Sequence, residues 1–391
     1  MQFLINPSER NILQDFGDRM PLGLLYIARR LEDVKVYDMN HTNLIQLGRD
    51  LRELRPETVG ISCLTSASLN ASRNLCDFVR TNSKAKIVVG GYHPSIRPQD
   101  FSEFADNVVV GEGENAEIGT NYIVNGKKVN IEGLTPNRKL LNPADYGMTI
   151  NGKRFSTALT SRGCPNHCVF CGNRDRTIRY HTLDDVSNDL DEITRQGFKG
   201  VYFLDDVFTI DQDRSINISK LCRNRLDFRV TTRANYISDY LIEELSRNGL
   251  VCLSMGIESG NPEILEKIGK NQGIDQIRRA IKTCGKYKIP TKGFFIIGLP
   301  GETEETANQT IAFSKELRNY GLTSADFYPM IPFPGTEIWT NPDRYGIEII
   351  DRDFGNYLQA GINEPTVPCQ TEGLKQEQIK HYLRLAKKEW K

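Results

Sequence analysis

At 391 residues, with 39% hydrophobic and 26% charged side chains, the chain has the composition of a globular protein with apolar material for two domains, which excludes a disordered or fibrous class. Fifty basic residues balance fifty acidic ones, so no bulk attraction to nucleic acid is expected. No apolar run approaches the roughly 20 residues that cross a bilayer, and nine cysteines, an odd number, argue against a secreted disulfide scaffold and for a cytoplasmic protein.

The opening stretch, Met1–Arg10, is briefly apolar and then turns polar at Asn6, Ser8, Glu9 and Arg10. It lacks the basic flank and long apolar region of a secretion signal and reads as a first strand, Phe3–Asn6. Pro21–Leu31 follows as a helix with proline near its start. The next candidates are a strand at Val34–Tyr37, a helix at Asn43–Leu54, a strand at Val59–Leu64 and a helix at Ala67–Arg80. A strand at Ile87–Val89 ends in Gly90-Gly91, and Asn107–Val110 leads into Gly111-Glu112-Gly113-Glu114. This alternation predicts a parallel sheet covered by helices, with ligands beyond the carboxyl ends of its strands.

Between about 115 and 155 the periodicity breaks down. Asn125-Gly126-Lys127-Lys128 and Thr135-Pro136-Asn137-Arg138 read as linker, with a hairpin signal at Asn125-Gly126. A second series then begins, with strands expected at Ser156–Thr160, Gly200–Leu204, Arg229–Thr232, Cys252–Ile257, Lys292–Ile297 and Ala325–Tyr328. Between them, Val186/Leu190/Ile193, Ile274/Ile277/Ile281/Cys284 and Thr306/Thr310/Phe313/Leu317 repeat at the spacing of helices with one buried stripe. Six such units predict an open, partial (β/α)6 barrel with its chemistry at the carboxyl ends of the strands. Leu374–Trp390 closes the chain as an amphipathic helix presenting Ile379, Tyr382, Leu383, Ala386 and Trp390.

The strongest chemical signal follows the first barrel strand: Ser161-Arg162-Gly163-Cys164-Pro165-Asn166-His167-Cys168-Val169-Phe170-Cys171. Soft thiolates at this spacing suit an iron–sulfur cluster or zinc, the latter with His167 or His181 as a fourth ligand. Three thiolates on a four-iron cluster leave one iron without a protein ligand, a position open to a reacting molecule. The remaining cysteines, 63, 76, 222, 252, 284 and 369, show no auxiliary-cluster spacing and read as core thiols.

The motif resembles the signature of the radical S-adenosylmethionine (SAM) superfamily. In that family the open iron of a 4Fe-4S cluster binds SAM, and one electron cleaves the sulfonium, usually to methionine and a 5′-deoxyadenosyl radical. The resemblance covers most of residues 155–340. It places Cys164, Cys168 and Cys171 on the cluster and Phe170 near the adenine. Gly200–Phe208 resembles the family's second strand, where Asp205 or its neighbour Asp206 would meet the SAM ammonium. Thr231-Thr232-Arg233 places Arg233 at the methionine carboxylate, and Gly256-Ile257-Glu258-Ser259-Gly260 places Glu258 and Ser259 at the ribose. Phe294–Glu302 resembles the adenine-contact strand, with Ile296 as its contact, and departs from the commonest glycine spacing. Pro332–Thr336 looks like the sixth-strand end.

The first third resembles the cobalamin-binding domain found before the barrel in a large subgroup of this superfamily. The carrying residues are Pro21–Leu24, Val59–Thr65, Val88–Pro94 and Gly111–Glu114, which imply a corrinoid site at Ser62, Leu64, Thr65, Gly90, Gly91, Tyr92 and His93. The Asp-x-His-x-x-Gly pattern that supplies an axial histidine in many cobalamin proteins is absent. His41 follows Asp38 by three residues and reads as a helix-start residue. After Glu114 the subgroup's further long helix is missing, since Asn115–Asn125 is short and polar; the domain therefore binds a corrinoid or serves as a scaffold. The resulting domain plan is 1–114 Rossmann-like, 115–154 linker, 155–340 partial barrel and 341–391 C-terminal extension.

The function this implies is methyl transfer to an unactivated carbon or to phosphorus, through a 5′-deoxyadenosyl radical and methylcobalamin. The alternatives are a radical cyclase, oxidase or rearrangement enzyme without methyl transfer, and an iron–sulfur electron carrier or sensor. A small-molecule substrate and a flavodoxin or ferredoxin reductant are expected, with no nucleic-acid partner. No residue is singled out as a catalytic acid or base.

Overall fold

The computed structural model describes residues 1–8, 19–173, 175–357 and 366–390. It divides into two compact units, Met1–Met148 with Asp353–Gly361, and Thr149–Arg352 with Ile362–Lys391.

The first unit is built on six strands: β1 (Gln2–Asn6), β2 (Val34–Asp38), β3 (Thr58–Ser62), β4 (Lys86–Gly90), β5 (Asn107–Gly111) and β6 (Ile123–Gly126). They pair in the order β2-β1-β3-β4-β5-β6, all parallel. Phe3, Leu4, Ile5, Val59, Ile61, Ile87, Val88, Val89, Val108 and Val109 are buried along it. Such near-continuous apolar strands need cover on both faces, which is why they join through helices. These are α1 (Leu22–Ala28), α2 (Leu44–Leu54), α3 (Leu69–Asn82) and the short α4 (Tyr92–Ile96). Helix α2 starts where the sequence places it, with the Asn43 side chain accepting a hydrogen bond from the Gln46 amide. The strand order reverses between β1 and β3, a switch point at which open α/β sheets bind ligands.

Two expectations are corrected here. Asn125-Gly126 is not a hairpin turn: β6 lies parallel to β5, with Val108 opposite Ile123 and Gly111 opposite Gly126. The backbones approach so closely that a Cβ on Gly126 would stand 2.0 Å from the Glu112 carbonyl oxygen, so glycine marks contact here, not a turn. The unit also runs on past residue 114. The Val129 amide bonds to the Glu112 carboxylate, the Asn137 amide to the Leu25 carbonyl and the Tyr146 hydroxyl to Asp38, while Val124, Val129, Ile131 and Leu134 are buried.

The second unit carries a seven-stranded sheet in the order β13-β12-β11-β10-β9-β8-β7. Its members are β7 (Met148–Ile150), β8 (Lys153–Ala158), β9 (Gly200–Phe203), β10 (Asp227–Thr232), β11 (Leu250–Glu258), β12 (Thr291–Ile297) and β13 (Leu322–Pro329). β8 to β13 are parallel and neighbour one another in chain order, and among the described residues the edges do not pair, so the barrel is partial as predicted. The intervening helices are α5 (Leu183–Arg195), α6 (Gln212–Cys222), α7 (Asp239–Arg247), α8 (Pro262–Lys267), α9 (Ile274–Lys286) and α10 (Glu304–Arg318). The predicted stripes on α5 and α9 are buried from Val186 and Ile277 onward, and on α10 from Thr310; Thr306 instead caps that helix with Thr303. The closing helix α11 (Gln376–Glu389) buries Ile379, Tyr382, Leu383 and Ala386 against α10, β12 and β13.

No helix among the described residues is long and apolar enough to cross a membrane.

Candidate active site

The cysteine loop leaves β8 through Gly163. Its φ is +98°, and a Cβ there would sit 2.3 Å from the Thr177 carbonyl oxygen, so glycine alone fits. Backbone hydrogen bonds then fix the loop: Cys164 N to Asp175 O, Val169 N to Ile268 O, and Cys171 N to Cys168 O. Gly269, at φ +65°, passes so near that a Cβ would lie 2.7 Å from the His167 carbonyl oxygen.

The three cysteines border one cleft of about 210 Å3 at the carboxyl ends of the strands, lined also by Asn166, Phe170, Asn173, Asp206, Thr231, Thr232, Arg233, Gly256, Glu258, Lys270 and Phe294. Each thiol has a donor nearby: Asn166 Nδ2 lies 3.3 Å from Cys164 Sγ, the Asn173 amide 3.5 Å from Cys171 Sγ, and Arg233 Nη1 3.2 Å from Cys168 Sγ. Donors to the sulfurs tune a cluster that such cysteines hold.

Arg233 itself is buried, and its Nε and Nη2 have no partner among the described residues. A buried guanidinium with two orphaned nitrogens carries a desolvation cost that an anionic ligand would offset. This is the observation by which the cleft fits a cluster and the carboxylate of SAM.

At the end of β11, Glu258 adopts φ +68°, uncommon for a residue with a side chain. The register with β12 slips by one residue there, which turns the carboxylate into the cleft. Lys270 Nζ meets it at 2.7 Å in a buried ion pair. Gly256 keeps the space for that pair, since a Cβ would stand 2.5 Å from Glu258 Oε1.

Three expected SAM contacts lie elsewhere. Asp205 is buried, and its carboxylate accepts from the Thr160 amide, the Thr160 hydroxyl and the Ser161 hydroxyl; burial pushes its pKa above the ordinary carboxylate value. Its neighbour Asp206 lines the cleft instead, held by Asn173 Nδ2 at 2.7 Å. Ser259 is buried and bonds to the Thr310 hydroxyl and the Asn261 amide. Ile296 is half-buried outside the lining, where Phe294, on the same strand face, takes the position. Lys270 went unnoticed in the sequence because it lies in a loop whose approach to the cysteines is a tertiary fact.

In the first unit, Ser62, Leu64, Thr65, Gly90, Gly91 and Tyr92 lie partly exposed where β3 and β4 end, beside the switch point; Leu64 is 49% exposed. The Thr65 hydroxyl bonds to Ser68 at 2.9 Å. Gly91 has φ +121°, and a Cβ there would lie 2.6 Å from the Cys63 carbonyl oxygen, so the two strand ends can meet only through glycine. Small hydroxyls, a bare glycine backbone and an exposed leucine fit the approach of a large ligand that carries both polar and apolar groups. His93 is the correction: it is fully buried, with Nδ1 2.9 Å from the Ser66 hydroxyl, Nε2 2.9 Å from Asp100, and its ring 5.3 Å from that of Phe354. Both ring nitrogens are engaged, and the side chain is buried where its candidate neighbours are partly exposed.

Residues 159–314 match the model of the radical SAM superfamily, and residues 13–119 that of the B12 binding domain. The chain is 31% identical over 380 residues to "Uncharacterized methyltransferase PH0819" of Pyrococcus horikoshii, covering 86% of this chain and 81% of that protein. It is 28% identical to the bacteriochlorophyllide d C-12(1)-methyltransferase of Chlorobaculum tepidum, over 85% of this chain and 76% of the other. Its fold matches that of TsrM from Kitasatospora setae, a radical SAM methyltransferase solved with cobalamin and a [4Fe-4S] cluster bound, with a TM-score of 0.76, 17% identity, and coverage of 98% and 90% of the two chains. This chain belongs to the radical S-adenosylmethionine superfamily, in the subgroup whose barrel follows a B12-binding domain.

Proposed function

We propose that the chain is a cobalamin-dependent radical SAM methyltransferase acting on an unactivated carbon or phosphorus centre. The observation that carries this reading is that one chain holds both a three-thiol cleft with an orphaned guanidinium and a switch-point surface of small hydroxyls and glycine. The chemistry supplied by the bound groups is reductive cleavage of SAM at the cluster and carriage of a methyl group by the corrinoid.

The residues do the positioning. Cys164, Cys168 and Cys171 hold the cluster. Asp206 accepts from the SAM ammonium, and Arg233 pairs with its carboxylate through the two nitrogens that lack partners. Glu258, steadied by Lys270, faces the ribose hydroxyls, and Phe170 and Phe294 flank the adenine. Ser62, Leu64, Thr65, Gly90, Gly91 and Tyr92 receive the corrinoid. A flavodoxin or ferredoxin serves as reductant, and the reducing cytoplasm suits a protein whose nine cysteines are all free.

The test is corrinoid content. Protein purified anaerobically with added hydroxocobalamin is expected to retain close to one cobalt per chain and to pass label from methyl-labelled SAM to product. Protein that carries iron and cleaves SAM while retaining no corrinoid would overturn methyl transfer, leaving a cyclising, oxidising or rearranging radical enzyme. Iron-loaded protein that leaves SAM intact would indicate an electron carrier.

A further inference from the structure

We propose that the barrel interior below the cysteine cleft binds an oxyanion group of the substrate, a carboxylate or a phosphate, with Arg229 as its main partner and Lys292 beside it. The inference rests on the enzymatic reading above and adds a substrate class to it.

The placement follows from strand periodicity. Thr231, Gly256 and Phe294 line the cleft. Side chains two residues earlier share their face and lie about 7 Å deeper; these are Arg229, Ser254 and Lys292. The contacts agree. The Tyr202 hydroxyl bonds to Thr231 Oγ1 at 3.0 Å, and the Arg229 guanidinium sits 4.5 Å over the Tyr202 ring. Arg229 Nη2 donates to the Ser254 hydroxyl at 3.0 Å. On the facing strands, Lys292 Nζ pairs with Asp326 at 2.6 Å, and the Tyr328 hydroxyl donates to the same carboxylate at 3.0 Å. Of the two cations, Arg229 and Lys292, the second already engages the Asp326 carboxylate.

Arg229 is left with a neutral partner. It forms no ion pair among the described residues, and its Nε is buried without a hydrogen bond. A guanidinium stays charged at any working pH, and stacking on Tyr202 holds its planar fork in one orientation. Such a fork, partly desolvated and short of an anion, is arranged for bidentate recognition of an oxyanion. The side chains of Lys292 and Asp326 on this floor of the barrel are 30% and 36% exposed. The floor is distinct from the cluster end, where Arg233 attends Cys168.

The test uses the full chain, reconstituted with iron and sulfide without oxygen and saturated with SAM, so that Arg233 is occupied. Inorganic phosphate and propionate are titrated separately by calorimetry, with propionamide as the neutral control. One saturable site per chain for phosphate or propionate, and none for propionamide, is the expected result. The tighter of the two anions names the substrate's group. Arg229→Gln should weaken binding at least tenfold and Lys292→Gln less, with iron content and SAM cleavage retained. Should Arg229→Gln lose its iron, Arg229→Lys, which keeps the charge and loses the fork, is expected to bind between wild type and background. Anion binding that SAM displaces, or that Arg229→Gln and Arg229→Lys leave unchanged, would overturn the proposal. Corrinoid retention and methyl transfer are not read here, so the enzymatic reading stands or falls separately.

Discussion

Asp205 and Asp206 are adjacent in sequence and opposite in environment. Asp205 accepts three hydrogen bonds inside the barrel wall, whereas Asp206 faces the cleft. Asp205→Ala removes a buried acceptor and strands its donors, so a loss of about 2–4 kcal/mol in unfolding free energy is expected by urea titration. Asp206→Ala should change stability by no more than about 0.5 kcal/mol and raise the KM for SAM roughly tenfold, the worth of one charge-assisted hydrogen bond. His93 makes a second pair of predictions. Burial holds its pKa below the usual imidazole value despite Asp100, with Arg97 and Arg73 acting in the same direction as burial. The unfolded chain then takes up a proton that the folded chain refuses. The stability contribution of neutral His93 is present above about pH 6.5 and is lost as pH falls below it. His93→Gln should flatten that part of the pH–stability curve and leave corrinoid content unchanged.

At the scale of elements, loops set by glycine and by buried acids decide where the site residues stand. After β12 the chain turns so that the Gly298 and Leu299 amides point at the Glu302 carboxylate, which is fully buried and pushed up to about 8. A raised carboxyl binds its proton more tightly in the folded chain, so its stabilisation is full below about pH 4.5 and declines as pH rises toward 8. Unfolding free energy should fall by about 1.4 kcal/mol per pH unit over the upper part of that window. Glu302→Gln should remove the slope, as read by urea titrations between pH 6 and 8. For the cysteine loop, Gly163→Ala forces a side chain into the Thr177 carbonyl at a backbone angle that disfavours it. Iron bound after reconstitution should drop by at least half, with far-UV circular dichroism unchanged.

At the scale of the molecule, two compact units with separate cores predict two resolvable thermal transitions. A ligand at one hundred times its Kd stabilises its own unit by about 2.7 kcal/mol, which for units of this size is about 5–10 °C. In scanning calorimetry, hydroxocobalamin should raise one transition, and cluster with SAM the other. A single transition raised equally by both would contradict the division.

The order of strands and helices, the partial barrel and the thiol triad were legible in the chain, because each is written in local spacing. Apolar runs bury where they occur, and Gly163 through Cys171 form their loop from neighbouring residues. What the tertiary structure decided lies in contacts between distant segments. It turned Asp205 inward and Asp206 outward, brought Lys270 to Glu258, and engaged both nitrogens of His93. It paired β6 with β5 across a stretch that reads as linker, and it set Phe354, expected in a C-terminal extension, against His93 in the first unit. Periodicity names the face on which a side chain lies; which partner waits on that face is settled only when strands from different parts of the chain come side by side.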